Sequence, residues 1–250
     1  MEKKIFIEKL TLAIKHNLKV ELDEKQQEQM FLLAERLIEV NKVMNLTAIV
    51  DEDGIILRHF VDSLLISRHI LPNSRIIDVG CGAGFPSLPL AILRPDISIT
   101  SLDSTEKRIK YVDETAKILG LTNVTAITAR AEELAQDKKY RESFDYATAR
   151  AVASLPILCE LTIPFIRVGG SLVAMKAKNA KEEFDAAKNA ISKLAGDESL
   201  KNTVLFNSDL VGVVNGENIC EGRVIVVTKK MSHTQSKYPR KFSQIKKLPL

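Results

Sequence analysis

Residues 76–86 read Ile-Ile-Asp-Val-Gly-Cys-Gly-Ala-Gly-Phe-Pro, an apolar run that stops at three alternating glycines and a proline. A strand covered on both faces requires such a run. Glycine lets the chain turn through positive φ and brings backbone N–H groups close to a ligand that a Cβ would hold off. The segment therefore predicts a strand over 76–79, a backbone cradle at Gly80, Gly82 and Gly84, and a helix from 86 to 93. Spacing bears on the ligand. A dinucleotide fingerprint needs G-x-G-x-x-G, whereas here the third glycine comes one residue early and Phe85-Pro86 follows, which disfavours a nicotinamide oxidoreductase.

Downstream, the pattern alternates between strands at 97–102, 123–128, 144–149 and 171–176 and helices at 105–119, 154–167 and 181–195. Such alternation implies an α/β domain with a mostly parallel sheet and right-handed crossovers, whose ligands sit at the carboxyl ends of the strands. Val224–Thr228 reads as an antiparallel closing strand, and no internal repeat is evident. Asp103 ends the second strand 23 positions after Gly80, where a carboxylate accepts hydrogen bonds from ribose hydroxyls. The same residue also suits the cap of a helix starting near Thr105. The D-V-G-x-G-x-G-x-P run at 78–86 resembles motif I of class I S-adenosylmethionine (SAM)-dependent methyltransferases. After the third strand, Ala131-Glu132 falls where that class holds the adenine edge, and a carboxylate there also suits the first turn of a helix.

Composition removes other classes. With 45% hydrophobic and 27% charged residues in 250, the chain is an ordinary globular one. No apolar stretch approaches the ~18 residues needed to span a bilayer. The start, MEKKIFIEKL, lacks the core of a signal peptide, so a cytoplasmic location is expected. Cys81, Cys159 and Cys220 are far apart and form no C-x-x-C pair, so neither zinc nor a redox disulfide is expected, and Cys81 is read as a small loop residue.

Three regions are expected. Residues 1–71 read as a helical extension, residues 72–230 as the α/β domain and residues 231–250 as a basic tail. Apolar residues recur at helical spacing through Phe31, Leu32, Leu37, Ile38 and Met44, with cations and acids balanced eight to eight up to that point. Asn45-Leu46-Thr47 reads as a loop, and Arg58 to Leu64 as a helix placing Arg58 over Asp62 and His59 over Ser63 at i,i+4. That ladder is either a surface ion pair or a cluster lining a substrate cleft. Residues 229–250 hold seven cations and no acid, so the chain upstream carries 29 cations against 32 acids. With Tyr238 and Phe242, the segment is either a flexible arm for phosphates and bases or a solubilising terminus.

The fourth strand ends in Ala149-Arg150-Ala151-Val152-Ala153-Ser154, where such enzymes carry their transfer chemistry. The N/D-P-P-Y/F run of exocyclic-amine methylation and the Pro-Cys pair of cytosine-C5 methylation are both missing. A ring nitrogen with an in-plane lone pair, such as guanine N7, attacks a methyl sulfonium without losing a proton, so alignment and desolvation suffice. Arg150 suits an orienting role through its planar fork.

Taken together, N-L-T, R-H-x-x-D-S, D-V-G-x-G-x-G-x-P-x-x-P-L, R-P-D, L-D-S-x-x-K-R, R-A-E-E and A-R-A-x-A-S resemble the RsmG (GidB) family of 16S rRNA guanine-N7 methyltransferases. The resemblance runs over roughly residues 28–230, and the Tyr238-Pro239-Arg240-Lys241 ending is similar to that of many members. It implies a class I fold, Rossmann-like, with a mostly parallel seven-stranded sheet, helices on both faces and an N-terminal helical extension. It further implies SAM as cofactor and 16S rRNA in the small ribosomal subunit or its precursor as partner; no metal is expected, and a monomer is. Gly80, Gly82, Gly84, Phe85, Asp103, Ala131, Glu132 and Arg150 would hold the cofactor. Arg58, His59, Asp62, Lys237, Arg240 and Lys241 would face RNA. Ser87 departs from the family, many of whose members have glycine there. A small-molecule methyltransferase and a non-catalytic assembly factor that retains SAM remain alternatives.

Overall fold

A computed structural model describes residues 1–250. Seven strands form one sheet in the order β3-β2-β1-β4-β5-β7-β6. They are β1 (Arg75–Val79), β2 (Ser98–Asp103), β3 (Val124–Thr128), β4 (Phe144–Arg150), β5 (Ile166–Lys176), β6 (Thr203–Val214) and β7 (Glu217–Lys229). The first five run parallel, as their apolar content and helical crossovers require, and β7 enters antiparallel between β5 and β6. The chain reverses strand order at β1/β4, which opens a crevice above their carboxyl ends.

Period-two alternation decides which layer each side chain joins. Ile76, Ile99, Tyr146 and Val173 point into one core, shared with helices α1 (Lys3–Leu18) and α2 (Glu24–Met44) and with the helices Ser87–Leu93 and Glu106–Ile118. Ile77, Leu102, Ala147 and Leu172 point into the other, under the helices Leu155–Thr162 and Ala180–Ala195. The N-terminal helices therefore pack into the main core. α2 opens with a capping box, in which Asp23 accepts from the backbone N–H of Gln26 and the Gln26 side chain accepts in return from that of Asp23. No helix is long and apolar enough to cross a membrane.

Two expectations need correction. β6 was absent from the sequence reading, and the closing strand is 13 residues long where five had been expected. The C-terminal segment is also no loose arm. Tyr238 and Ile245 are buried in the second core, and Arg240 is clamped to Glu160, which is fully buried within Leu155–Thr162. Arg240 is thus committed to a protein carboxylate and is removed from the RNA-facing set, whereas Lys237 and Lys241 remain exposed.

Candidate active site

β1 delivers Asp78 to the base of the glycine turn, where it is fully buried. Its carboxylate accepts hydrogen bonds from the hydroxyls of Ser87 and Thr148. Burial lifts its pKa to about 6, against these two bonds and the Arg150 charge, which pull it down. Ser87, the departure from the family pattern, therefore supplies a donor beneath the loop that glycine lacks. The turn itself is tied to β2: the backbone N–H groups of Gly80 and Cys81 both donate to the Leu102 carbonyl. Gly82 donates to Asp103 Oδ2 at 3.1 Å. A Cβ on Gly84 (φ +83°) would fall 2.5 Å from Leu88 Cδ1, whereas one on Gly82 (φ +57°) would meet nothing within 4 Å. The two glycines thus have different jobs, one packing and one keeping space open. Cys81 is buried and its thiol pKa is raised by desolvation first, then by Asp78 and Asp103, consistent with a passive loop residue.

Two cavities open at the carboxyl edge of the sheet. The first, about 280 Å³, is lined by Gly80, Asp103, Ala131, Glu132, Arg130 and Phe242 among others. Asp103 fills both roles its position allowed. Oδ1 accepts from the Thr105 N–H at 2.8 Å, capping the helix entry, while Oδ2 meets Gly82 at the cavity wall. Ala131 and Glu132 likewise both begin a helical turn and border the cavity.

The second cavity, about 500 Å³, is lined by Asp62, Arg150, Lys176, Glu183 and Arg223, and it shares Ala151 and Val152 with the first. Ala151 stands between them at φ +55°, a conformation that costs a side-chain-bearing residue about 1–2 kcal/mol. Strain held at the meeting point of two cavities is the pattern expected where a fold fixes a functional turn.

The expected i,i+4 ladder is absent. Ile55–Val61 is wound as a π-helix, which rotates these side chains off the α-helical register. Arg58 turns to Glu221 on β7, donating through Nε and Nη2. Asp62 accepts from Arg223 Nε at 2.8 Å and pairs with Arg150 Nη1 at 3.2 Å. Arg223 closes the chain onto Glu221. His59 sits behind Arg150, with Nδ1 facing Nη2 at 3.2 Å and Nε2 facing the Thr47 hydroxyl at 2.9 Å. A guanidinium can only donate, so Nδ1 is the acceptor and Nε2 carries the proton. Burial, then the Arg150 charge, lowers the His59 pKa to about 3, so the ring is neutral near pH 7. Phe85 stacks on His59 with centroids 4.7 Å apart and lies 5.6 Å below the Arg150 guanidinium. Phe85 lines neither cavity and acts as a platform for Arg150.

The sequence reading missed Arg223, Glu221, Lys176 and Glu183. Lys176 donates to the Ala153 carbonyl and pairs with Glu183, whose carboxylate also accepts the Leu155 N–H. Every carboxylate on the second cavity is thus paired to a cation, leaving a pocket rich in fixed donors.

Residues 26–208 match the family described as GidB, rRNA small subunit methyltransferase G. The chain is 40% identical over 250 residues to the ribosomal RNA small subunit methyltransferase G of Acetivibrio thermocellus, covering 100% of this chain and 99% of that one. It is 43% identical over 232 residues to the protein of that name from Streptococcus pyogenes serotype M1, covering 92% and 93%. Among solved structures, a SAM-dependent O-methyltransferase from Thermotoga maritima superposes with a TM-score of 0.51 at 18% identity, covering 80% of this chain and 73% of that one. At that identity the likeness establishes the class I fold.

Proposed function

The chain belongs to the GidB family of small-subunit rRNA methyltransferases, and from that premise we propose that it transfers a methyl group from SAM to N7 of a guanine in 16S rRNA. The observation that carries the reading is the pair of cavities meeting at Ala151-Val152, one bordered by the glycine turn and Asp103, the other by paired charges around Arg150. The donor side fits the cofactor: Asp103 would take the ribose hydroxyls, Ala131-Glu132 would border the adenine, and the open space beside Gly82 would leave room for the methionine part. When bound there, SAM supplies the methyl sulfonium.

On the acceptor side, the residues present suit an in-line displacement that needs no base. An N7 lone pair aligned here would take the methyl group as the methyl–sulfur bond broke, the positive charge passing from sulfur to the guanine ring. Asp62 and Glu183 are each held by cations, and no proton has to be taken. Arg150 orients the base or a flanking phosphate. His59 and Phe85 hold the guanidinium from behind, and Asp62 fixes it from the side. Lys237 and Lys241 engage the RNA backbone.

We assign methyl transfer to residues 72–230, with 1–71 as a packed helical extension and 231–250 as a docked basic segment. We further propose that it acts as a monomer, on the small subunit or its precursor in the cytoplasm.

The test is transfer of labelled methyl from SAM to small-subunit rRNA prepared without its N7-methylguanines, with borohydride and aniline cleavage to locate product. Cleavage at a single guanine, lost with Arg150→Ala, supports the reading. Label in another base, or in a non-RNA acceptor, refutes the N7 assignment.

A further inference from the structure

The docked C-terminal segment is held by more bonds than a tethered terminus needs. Arg141 donates to the carbonyls of Thr234, Gln235 and Tyr238 as well as to Ala135, and Gln136 donates to that of Pro239. Arg240 reaches Glu160 with both its backbone N–H and its guanidinium. Ile245 is fully buried one turn further on. Between these anchors lies Phe242, the first residue of the terminal helix Phe242–Lys247.

Phe242 is not buried as Tyr238 and Ile245 are. It keeps 37% of its surface exposed, and it lines the first cavity alongside Asp103, Ala131 and Glu132. The guanidinium of Arg130, itself exposed, lies 6.0 Å from the centre of the Phe242 ring. Leu102 and Leu161 line the same cavity, so an aromatic ring and a guanidinium plane share it with aliphatic surface. A flat purine is the ligand such walls accept, because rings and guanidinium planes stack on bases while aliphatic walls exclude water.

We propose that Phe242, braced by Arg130, is a binding residue for the adenine of the cofactor, so that the C-terminal segment completes the cofactor site. The inference rests on reading the first cavity as the SAM site. It gives the terminal anchoring a purpose: the salt bridge to buried Glu160 fixes the position of a ring that contacts ligand.

Titration calorimetry of the full chain with SAM and with S-adenosylhomocysteine tests it on Phe242→Ala, Phe242→Leu, Phe242→Tyr and Asp103→Ala. Phe242→Ala weakens both ligands about tenfold, the scale of one base–aromatic stack. Phe242→Leu loses most of that factor while Phe242→Tyr restores binding to within twofold, a split that mere anchoring would not produce. If Phe242→Ala or Phe242→Leu binds SAM as the unaltered chain does while Asp103→Ala abolishes binding, the Phe242 assignment is wrong and the cavity reading stands. If Asp103→Ala leaves SAM affinity intact, the cavity reading itself fails.

Discussion

Gly82 and Gly84 lie two residues apart on the same turn, both at positive φ, and replacing each with alanine separates ligand binding from folding. For Gly82→Ala, the left-handed backbone at φ +57° costs about 1–2 kcal/mol, and the stiffer unfolded chain returns about 0.4–1 of it. No atom lies within 4 Å of the new methyl group, so the net loss of stability stays between about 0 and 1.6 kcal/mol. For Gly84→Ala the same strain applies, and the methyl group also lands 2.5 Å from Cδ1 and 2.8 Å from Cγ of Leu88, which is fully buried. Overpacking of that kind adds about 1–3 kcal/mol, for a net of roughly 1–5. Urea unfolding monitored by circular dichroism reads both losses, and calorimetry reads SAM affinity. The expected result is a Gly82→Ala protein that folds almost normally yet binds SAM at least tenfold more weakly. Gly84→Ala is expected to lose stability first. Equal destabilisation by the two substitutions, or a Gly82→Ala protein with unaltered SAM affinity, refutes the division of labour.

Asp78 carries a pKa raised to about 6, so it contributes stability fully below its unfolded value of 3.8 and loses it as pH rises through 6. Asp78→Asn should therefore gain on the unaltered chain between pH 4 and 7, by up to about 3 kcal/mol in paired urea titrations. A flat difference across that range counts against a buried ionising carboxylate. His59 shows the opposite sign: with its pKa lowered to about 3, the neutral ring supports the fold above pH 6.5, and that support drains as pH falls toward 3. His59→Gln should flatten this acid limb. The pH–rate profile of methyl transfer should show no histidine titration near 6.5, and one would refute the neutral support role. Lys230, 1% exposed and with its pKa lowered to about 8 by burial against the opposing pull of Glu142, takes that carboxylate as its counter-charge beside the carbonyls of Ile163 and Ile166. Glu142→Ala strands the ammonium and should cost about 3 kcal/mol or more by thermal unfolding, while Glu142→Ala with Lys230→Met recovers part of the loss.

The parallel half of the fold was legible because its inner strands are covered on both faces and declare themselves as short apolar runs between helical patterns, while the edge strand β3 shows the alternation of VTAIT. β6 was not. One flank faces no further strand, and Asn207, Ser208 and Asp209 interrupt its apolar pattern. A signal was nevertheless present: Asn215-Gly216, at φ +52° and +81°, is the dipeptide that two-residue hairpins favour, and it lies between two valine-rich runs. The donor half of the site was equally readable, since the glycines and Asp103 sit on one βαβ unit and local spacing fixes their geometry. The acceptor half was not. Arg58 to Glu221, Asp62 to Arg223 and Arg150 to Asp62 join positions 163, 161 and 88 residues apart, and the π-helix that aims the first two leaves no mark in residue type. The tail misled for a related reason. Its charge density suggested solvent, whereas the deciding residue was its distant partner Glu160, a single acid set in an otherwise apolar helix.

The bond pair between Asn17 and Val211 reaches further than any other described. The Asn17 amide donates to the Val211 carbonyl at 2.8 Å and accepts from its N–H at 2.9 Å, across 194 residues. A ribosome adding about 5–20 residues per second needs roughly 10–40 s to deliver β6 after Asn17 has been made. During that interval α1 has α2 and the π-helix to cover Phe6, through Phe31 and Phe60, but no sheet edge to dock on. The seating of α1 is thus completed only when β6 arrives. Slowing elongation should lengthen the exposure of that apolar face to chaperones and proteases, and the final assembly of this ribosome-modifying chain waits until another ribosome has nearly finished it.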